Sequence, residues 1–467
     1  MKSNDALLTA WQNTLARKGD APAIFATDGE LLRTFADIET RAVGLEAKID
    51  MFEPRSVVAI QIGNHPDWPS IFLAGLRRQL VVVPLDVSMS AQERVAALEI
   101  CNAAGVAATP KAFGVESLEV LPMRTSAATT RWDKDPPSLL KLTSGTTAAP
   151  RAIRFRSEQL LADCESICAT MGISDADLNF GVIPISHSYG FSNLLTPLLA
   201  RGVPMVLSRD QTPRAVLNDL ARTGATVFPG MPIFYQAFCE IENLPALPKL
   251  RLCISAGAPL SAATAKKFCE KFNQPIHSFY GASECGGICY DRDGATFEDG
   301  FVGAPMEDVD LALLDPTAES SQVRVRSAAV ADGYFPETDT EKLSGGVFVP
   351  DDLLARHGDG FKIVGRISDV INVAGKKVHP AEVEAQLARF PGVRQAIVFG
   401  RKSSRRNEEV AACVVASSDV RETDLLEFCR THLSGWQAPK RIFLVDEIPV
   451  SERGKISRRE LAMRFSN

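Results

Sequence analysis

Residues 142–151 read Leu-Thr-Ser-Gly-Thr-Thr-Ala-Ala-Pro-Arg. Hydroxyls at Thr143, Ser144, Thr146 and Thr147 surround Gly145, and a cation follows at Arg151. Successive backbone N–H groups in such a loop can form an anion-binding nest, and hydroxyls beside a cation suit a polyphosphate. The pattern is not the nucleotide loop GxxxxGK[ST], because no lysine followed by Ser or Thr stands in the required place. Taken alone, the stretch is equally compatible with a polar surface turn. Further stretches add chemistry. Tyr280-Gly281-Ala282-Ser283-Glu284 groups an aromatic ring, a glycine, a hydroxyl and a carboxylate. Asp351 and Asp352 are adjacent carboxylates, Gly365-Arg366 comes shortly after, and Lys455 lies on a glycine-flanked loop in residues 449–458. Singly, each has a structural reading: Glu284 as a helix cap or surface ion pair, Asp352 as a turn residue, Lys455 as part of a basic face.

The elements that must position these groups are legible in outline. A chain of 467 residues can form two or three domains with a large core, and 45% hydrophobic with 23% charged residues is ordinary for a globular protein. The net charge of -6 argues against a nucleic-acid partner, and the locally basic residues 453–464 read as a solvated helix face. The N-terminus lacks a secretory pattern, and the most apolar region, residues 194–207, is interrupted by Pro197, Arg201 and Pro204, so no transmembrane segment is expected. The 10 cysteines are scattered without zinc-ligand spacing, as reduced thiols of a cytoplasmic protein would be.

Apolar runs at 57–63, 81–85, 179–185, 203–207, 226–228 and 250–255 read as buried strands. Helical patterns at 69–78, 91–100 and 210–223 alternate with them, so a parallel, doubly wound sheet is expected. Residues 323–327 alternate strictly, as an exposed antiparallel strand does. From about residue 370 the chain reads as a separate α+β unit, with a helix opened by Pro380, strands at 395–399 and 410–415, a helix at 423–432 and a last strand at 442–445. The expected fold is therefore α/β: a large N-terminal domain of mixed, doubly wound sheets with a β-rich part, residues 1–367, and a small α+β C-terminal domain, residues 370–467.

In their order along the chain, these motifs resemble those of the adenylate-forming superfamily: acyl-CoA synthetases, aryl-CoA ligases and the adenylation domains of peptide synthetases. The motifs look most like those of acyl-CoA or acyl-ACP synthetases, and the resemblance covers nearly the whole chain. It implies a two-step reaction. A carboxylate attacks the α-phosphate of ATP to give an acyl-adenylate and pyrophosphate; the thiol of coenzyme A, or of a carrier-protein phosphopantetheine, then takes the acyl group. Such chemistry depends on positioning and on stabilising charge on phosphoryl oxygens.

By the same resemblance, Thr143, Ser144, Gly145, Thr146, Thr147 and Arg151 grip phosphates, and Glu284 directs Mg2+. Tyr280 lies against adenine with Gly257, Ala258 and Gly281 nearby, and Ser283 contacts the α-phosphate. Asp352 takes the ribose hydroxyls with Arg366 beside it. Lys455 reaches both carboxylate and α-phosphate, and His187, in Pro184-Ile185-Ser186-His187-Ser188-Tyr189-Gly190, sits near the acid. The resemblance further implies that the C-terminal domain is mobile about a hinge at Ser368 or Asp369, bringing Gly375 to the pantetheine tunnel. The chain departs from the family pattern TSGTTGxPKG at Ala148, Arg151 and Ala152. Ala148 and Ala152 restrict φ where the family has glycine, which leaves a second reading: an impaired relative that binds nucleotide or acyl-adenylate as a sensor or scaffold. A hydrolase elbow GxSxG is excluded, because the nearest candidate, 281–285, ends in Cys285. No aspartate for an ammonium group appears near His187, which disfavours a free amino acid as substrate. The leucines at 194, 195, 198 and 199 resemble fatty-acyl members, although leucines at that spacing are also core residues.

Overall fold

The computed structural model describes residues 5–109, 118–122, 130, 132, 135–143, 151–373, 376–403, 407–448 and 458–465. The chain divides into two compact units: Met1–Ala312 with Arg324–Pro350 and His357–Phe361, and Leu313–Val323 with Asp351–Arg356 and Lys362–Asn467.

In the first unit, the expected strand–helix alternation builds a sheet whose strands run in the order Gly333–Phe335, Ala152–Phe155, Leu139–Leu142, Val81–Pro84, Val57–Gln61, Ala103–Ala108 and Glu119–Pro122. The strands from Leu139–Leu142 to Ala103–Ala108 are parallel, and both margins are antiparallel. The chain steps one way from Val57 to Val81, then back past Val57 to Ala103, so right-handed crossovers must place successive helices on opposite faces. Packing agrees. Val57, Ala59, Val81 and Val83 share a core with Ala97 and Leu98 of helix Ala91–Ile100, whereas Gly75 of helix Trp68–Arg77 backs onto Val82 from the other face.

A second sheet in this unit carries, in order, strands Leu31–Thr34, Pro22–Phe25, Met205–Leu207, Asn179–Gly181, Val227–Gly230, Leu252–Ser255, Ile276–Ala282, Gly286–Tyr290 and Phe301–Pro305. Helix Pro213–Thr223 begins three residues later than its apolar pattern, at the proline suited to a first helical turn, and ends at Gly224 with φ +64. Leu194, Leu195, Leu198 and Leu199 are fully buried, and Phe191 meets Trp68 and Phe72 edge-on. These leucines are core. The β-rich part is present as the pairing of Val325 with Phe348 and of Leu343 with Phe348.

The second unit is a smaller α+β layer. Strands Lys376–Val378, Ile371–Val373, Asn407–Ala416 and Val393–Ser403 are antiparallel neighbours, and Arg441–Leu444 adds in parallel to Asn407–Ala416. Strand periodicity explains the two cores. Val410, Ala412 and Val414 face helices Pro380–Leu387 and Glu422–His432, while Ala411, Cys413 and Val415 face Leu461 of helix Arg458–Arg464. All ten cysteines are free thiols. Among the described residues, no helix is long and apolar enough to cross a membrane.

Candidate active site

The hydroxyl-rich loop is a connection between antiparallel strands, because Leu142 pairs with Ala152. Its closure is built from Thr143 and Arg151. The Thr143 N–H and hydroxyl both donate to the Arg151 carbonyl, at 2.8 and 3.0 Å. The Thr143 hydroxyl is thus engaged as a clasp at the base of the loop. Ser144, Gly145, Thr146 and Thr147 lie outside the described residues, as do Gly375 and Lys455.

Around the loop base the fold gathers a charged cluster. Strand Gly333–Phe335 pairs with Ala152–Phe155, setting Tyr334 opposite Ile153 and close to Arg151. The Arg151 guanidinium lies 4.3 Å from the centre of the Tyr334 ring, and its Nη1 is 3.8 Å from Asp339. Tyr334 is 1% exposed and its hydroxyl donates to Glu284 Oε1 at 2.9 Å. Burial, followed by the charge and hydrogen bond of Glu284, pushes the phenol above its ordinary pKa, so it remains a donor. Glu284 is held at its backbone too, where its carbonyl accepts from Ala331 N–H at 2.9 Å.

Parallel register aligns the other candidates. Ser255 pairs with Ser278, so the exposed turn at Gly257 (φ +84) and Ala258 follows one strand end while Tyr280 and Gly281 follow its neighbour. Tyr280 is buried. A Cβ at Gly281 would approach the Gly286 carbonyl to 2.6 Å, which explains the glycine in that tight antiparallel return. Ser283 Oγ accepts from Ser188 Oγ at 3.0 Å, tying the Glu284 segment to the one that carries His187. His187 Nε2 is 2.6 Å from Asp86 Oδ2. The Asp86 carboxyl is held well below the usual range, first by that hydrogen bond and then, against the opposing effect of burial, by bonds from Ser88.

Lys141 escapes sequence reasoning because it hides in an apolar strand. It is 5% exposed, with Nζ 4.6 Å from the Phe155 ring centre and 5.5 Å from that of Phe191. Burial pulls its pKa below the ordinary value, while the negative charges of Asp163 and Glu284 act in the opposite direction. Asp163, itself buried, accepts from Gly287 N–H at 3.0 Å, so a buried cation and a buried carboxylate underlie the Glu284–Gly287 turn. A lysine inside Leu-Leu-Lys-Leu was the available signal. Tyr334 had none, since it meets Glu284 across 50 residues of chain.

In the second unit, Asp352 is buried and its Oδ1 accepts from Arg366 Nε at 2.6 Å, the two brought together by the adjacent strands Asp352–His357 and Gly360–Arg366. Asp369 Oδ2 accepts from Arg458 Nη1 at 2.8 Å, and the same guanidinium reaches Glu384 at 2.9 Å.

The Glu284 carboxylate, the Tyr334 phenol that buttresses it and the Arg151 guanidinium are thus gathered on a doubly wound scaffold. The chain belongs to the AMP-binding enzyme family, whose pattern matches residues 11–335; the pattern of the AMP-binding enzyme C-terminal domain matches residues 382–455. A feruloyl-CoA synthase of an Amycolatopsis species is 27% identical over 490 residues, covering 98% of this chain and 99% of the relative. ATP-bound MatB from Rhodopseudomonas palustris superposes with a TM-score of 0.86 at 22% identity, covering 98% and 99% of the two chains. The anthranilate CoA ligase AuaEII, in complex with anthranoyl-AMP, gives a TM-score of 0.83 at 22% identity over 98% and 96%. At these identities the structural likeness establishes the adenylate-forming fold.

Proposed function

We propose that this protein is an ATP-dependent acid–thiol ligase. It joins a fatty or aryl carboxylate to AMP, with release of pyrophosphate, and passes the acyl group to the thiol of coenzyme A or of a carrier-protein phosphopantetheine. The observation that supports this most directly is the Arg151–Tyr334–Glu284 cluster at the base of the hydroxyl loop. In the first step a carboxylate oxygen bonds to the α-phosphorus, and the bond from that phosphorus to the β-bridging oxygen breaks. Arg151 and the loop hydroxyls offset charge on the departing pyrophosphate, Ser283 orients the α-phosphate, and Lys455 steadies both reacting groups. In the second step the thiol sulfur bonds to the acyl carbon, AMP leaves with the bonding pair, and the thiol proton passes to solvent.

Glu284 is a fitting ligand for Mg2+, which binds through one or two carboxylates and substrate phosphates while keeping several waters. Among the described residues no group of three or more acidic, histidine or cysteine side chains could cage a metal. A single carboxylate with its second-sphere phenol therefore suits an ion that arrives with ATP; when bound, it would neutralise phosphate charge. Asp352, backed by Arg366, takes the ribose hydroxyls, and residues 368–369 serve as the hinge. Aromatic acids come first among substrates to try, because the leucines that resembled a fatty-acyl lining are core.

The test is pyrophosphate release from ATP and Mg2+ without thiol, across ferulate, benzoate, decanoate, palmitate and phenylalanine. Release with an aryl or fatty acid is expected, followed by thioester formation when coenzyme A or a phosphopantetheinylated carrier is added. ATP binding with silence across the panel would overturn the ligase reading in favour of a sensor. Lys455→Ala is expected to abolish adenylation while leaving a supplied acyl-adenylate able to react with thiol; adenylation at the unmutated rate would remove Lys455 from its role.

A further inference from the structure

His187 does not act alone in this fold. Its ring is 49% exposed, yet one nitrogen is fully committed: Nε2 lies 2.6 Å from Asp86 Oδ2. Asp86 follows strand Val81–Pro84 at the carboxyl end of the first sheet, the position where open α/β sheets present functional groups. Its carboxylate is anchored before it meets the histidine. Oδ1 accepts from Ser88 N–H at 2.7 Å, and the Asp86 carbonyl accepts from Gln61 Nε2 at 2.8 Å. Its other oxygen, Oδ2, faces His187.

The histidine's backbone is clamped from the same sheet end. Asn64, just after strand Val57–Gln61, donates to the carbonyls of Gly181 and Ser208 at 3.0 and 3.1 Å and accepts from Ile185 N–H at 3.0 Å. The chain then turns tightly, with His187 N–H on the Pro184 carbonyl at 3.0 Å, and a Cβ at Gly190 would overlap that carbonyl. Asn64 fixes the segment and Asp86 fixes the ring.

Resting on the ligase reading above, we propose that Asp86 is a positioning residue for substrate recognition: it holds His187 with a proton on Nε2 and so leaves Nδ1 as an acceptor for a hydrogen-bond donor group on the substrate. The physical reason is that a carboxylate can only accept here, so Nε2 must be the donor and the tautomer is decided. Without Asp86 the ring can rotate and the proton can sit on either nitrogen.

The test has two arms. Long-range 15N–1H spectra of the free protein with labelled histidine, assigned by loss of one signal set in His187→Gln, are expected to show Nε2–H at His187. In Asp86→Asn, an isosteric variant checked for folding by circular dichroism, the His187 signals should move towards a mixture of tautomers. Kinetically, Asp86→Asn should lower kcat/KM for the activated acid by about tenfold or more, leave the KM for ATP within twofold, and add nothing in the His187→Gln background; Asp86→Glu should recover part of the loss. A proton on Nδ1 in the unmutated protein, unchanged His187 signals in Asp86→Asn, or additive losses in the double variant would each overturn the proposal. If no acid in the panel is activated, the ligase reading fails while the spectra still decide the Asp86–His187 arrangement.

Discussion

Tyr334→Phe isolates one hydrogen bond at the centre of the proposed magnesium site. The ring is 1% exposed and its hydroxyl is 2.9 Å from Glu284 Oε1, so the substitution deletes a single oxygen without opening a cavity of a side chain's size. A hydrogen bond to a charged group contributes about 1.5–3 kcal/mol. Glu284 is half-buried, and water can restore part of that bond, which places the expected loss at about 1–2 kcal/mol. If the phenol's role is to aim the carboxylate, the loss falls on metal affinity and raises the Mg2+ concentration for half-maximal pyrophosphate release roughly 5- to 30-fold. The assay is a Mg2+ titration of initial pyrophosphate release at saturating ATP and acid, with Glu284→Gln as the benchmark and circular dichroism as the folding control. An unchanged midpoint in Tyr334→Phe, alongside a large shift in Glu284→Gln, would refute the buttressing argument and leave Tyr334 as packing for Arg151.

Gly286→Ala should impair folding or activity severely, because φ is +70 and the new Cβ would overlap the Asp163 carboxylate; a fully active, stable variant would show that the turn is malleable. Lys141→Met should lower the urea midpoint, since it removes a positive charge that acts on the buried Asp163 through the low-dielectric core, and Asp163→Asn in the same chain should recover part of the loss. A Lys141→Met protein as stable as the parent would contradict that coupling. Asp67 governs acid stability. Burial pushes its carboxyl up, but bonds from Arg41 and Arg33, at 2.9 Å each, outweigh it and hold the group below its ordinary value. A depressed carboxylate contributes stability that is complete above the unfolded value near pH 3.9 and is lost as the pH falls below it. Asp67→Asn should therefore be less stable at neutral pH and show a shallower loss below about pH 4; identical acid profiles would refute the assignment.

The sequence by itself determined the elements and the family. Strands 57–61 and 81–84 and helix Ala91–Ile100 follow from local apolar period and punctuation, which act over a few residues and need no partner. The order of Thr143–Arg151, Tyr280–Glu284, Asp352 and Arg366 likewise required only reading along the chain, because each motif is local. What it could not supply was the company each motif keeps. Arg151 stacks on Tyr334 because an antiparallel margin strand arrives from residues 333–335, and Glu284 receives its phenol from that same strand. Asp86 meets His187 only because two different strand ends face one another, and the charge of Asp163 acts on Lys141 only inside the packed core. Even the leucines after His187, ambiguous as pocket or core in the sequence, were settled by their own complete burial. Local propensity names the residues that can do chemistry; the long-range pairing of strands decides which charges, rings and protons they meet.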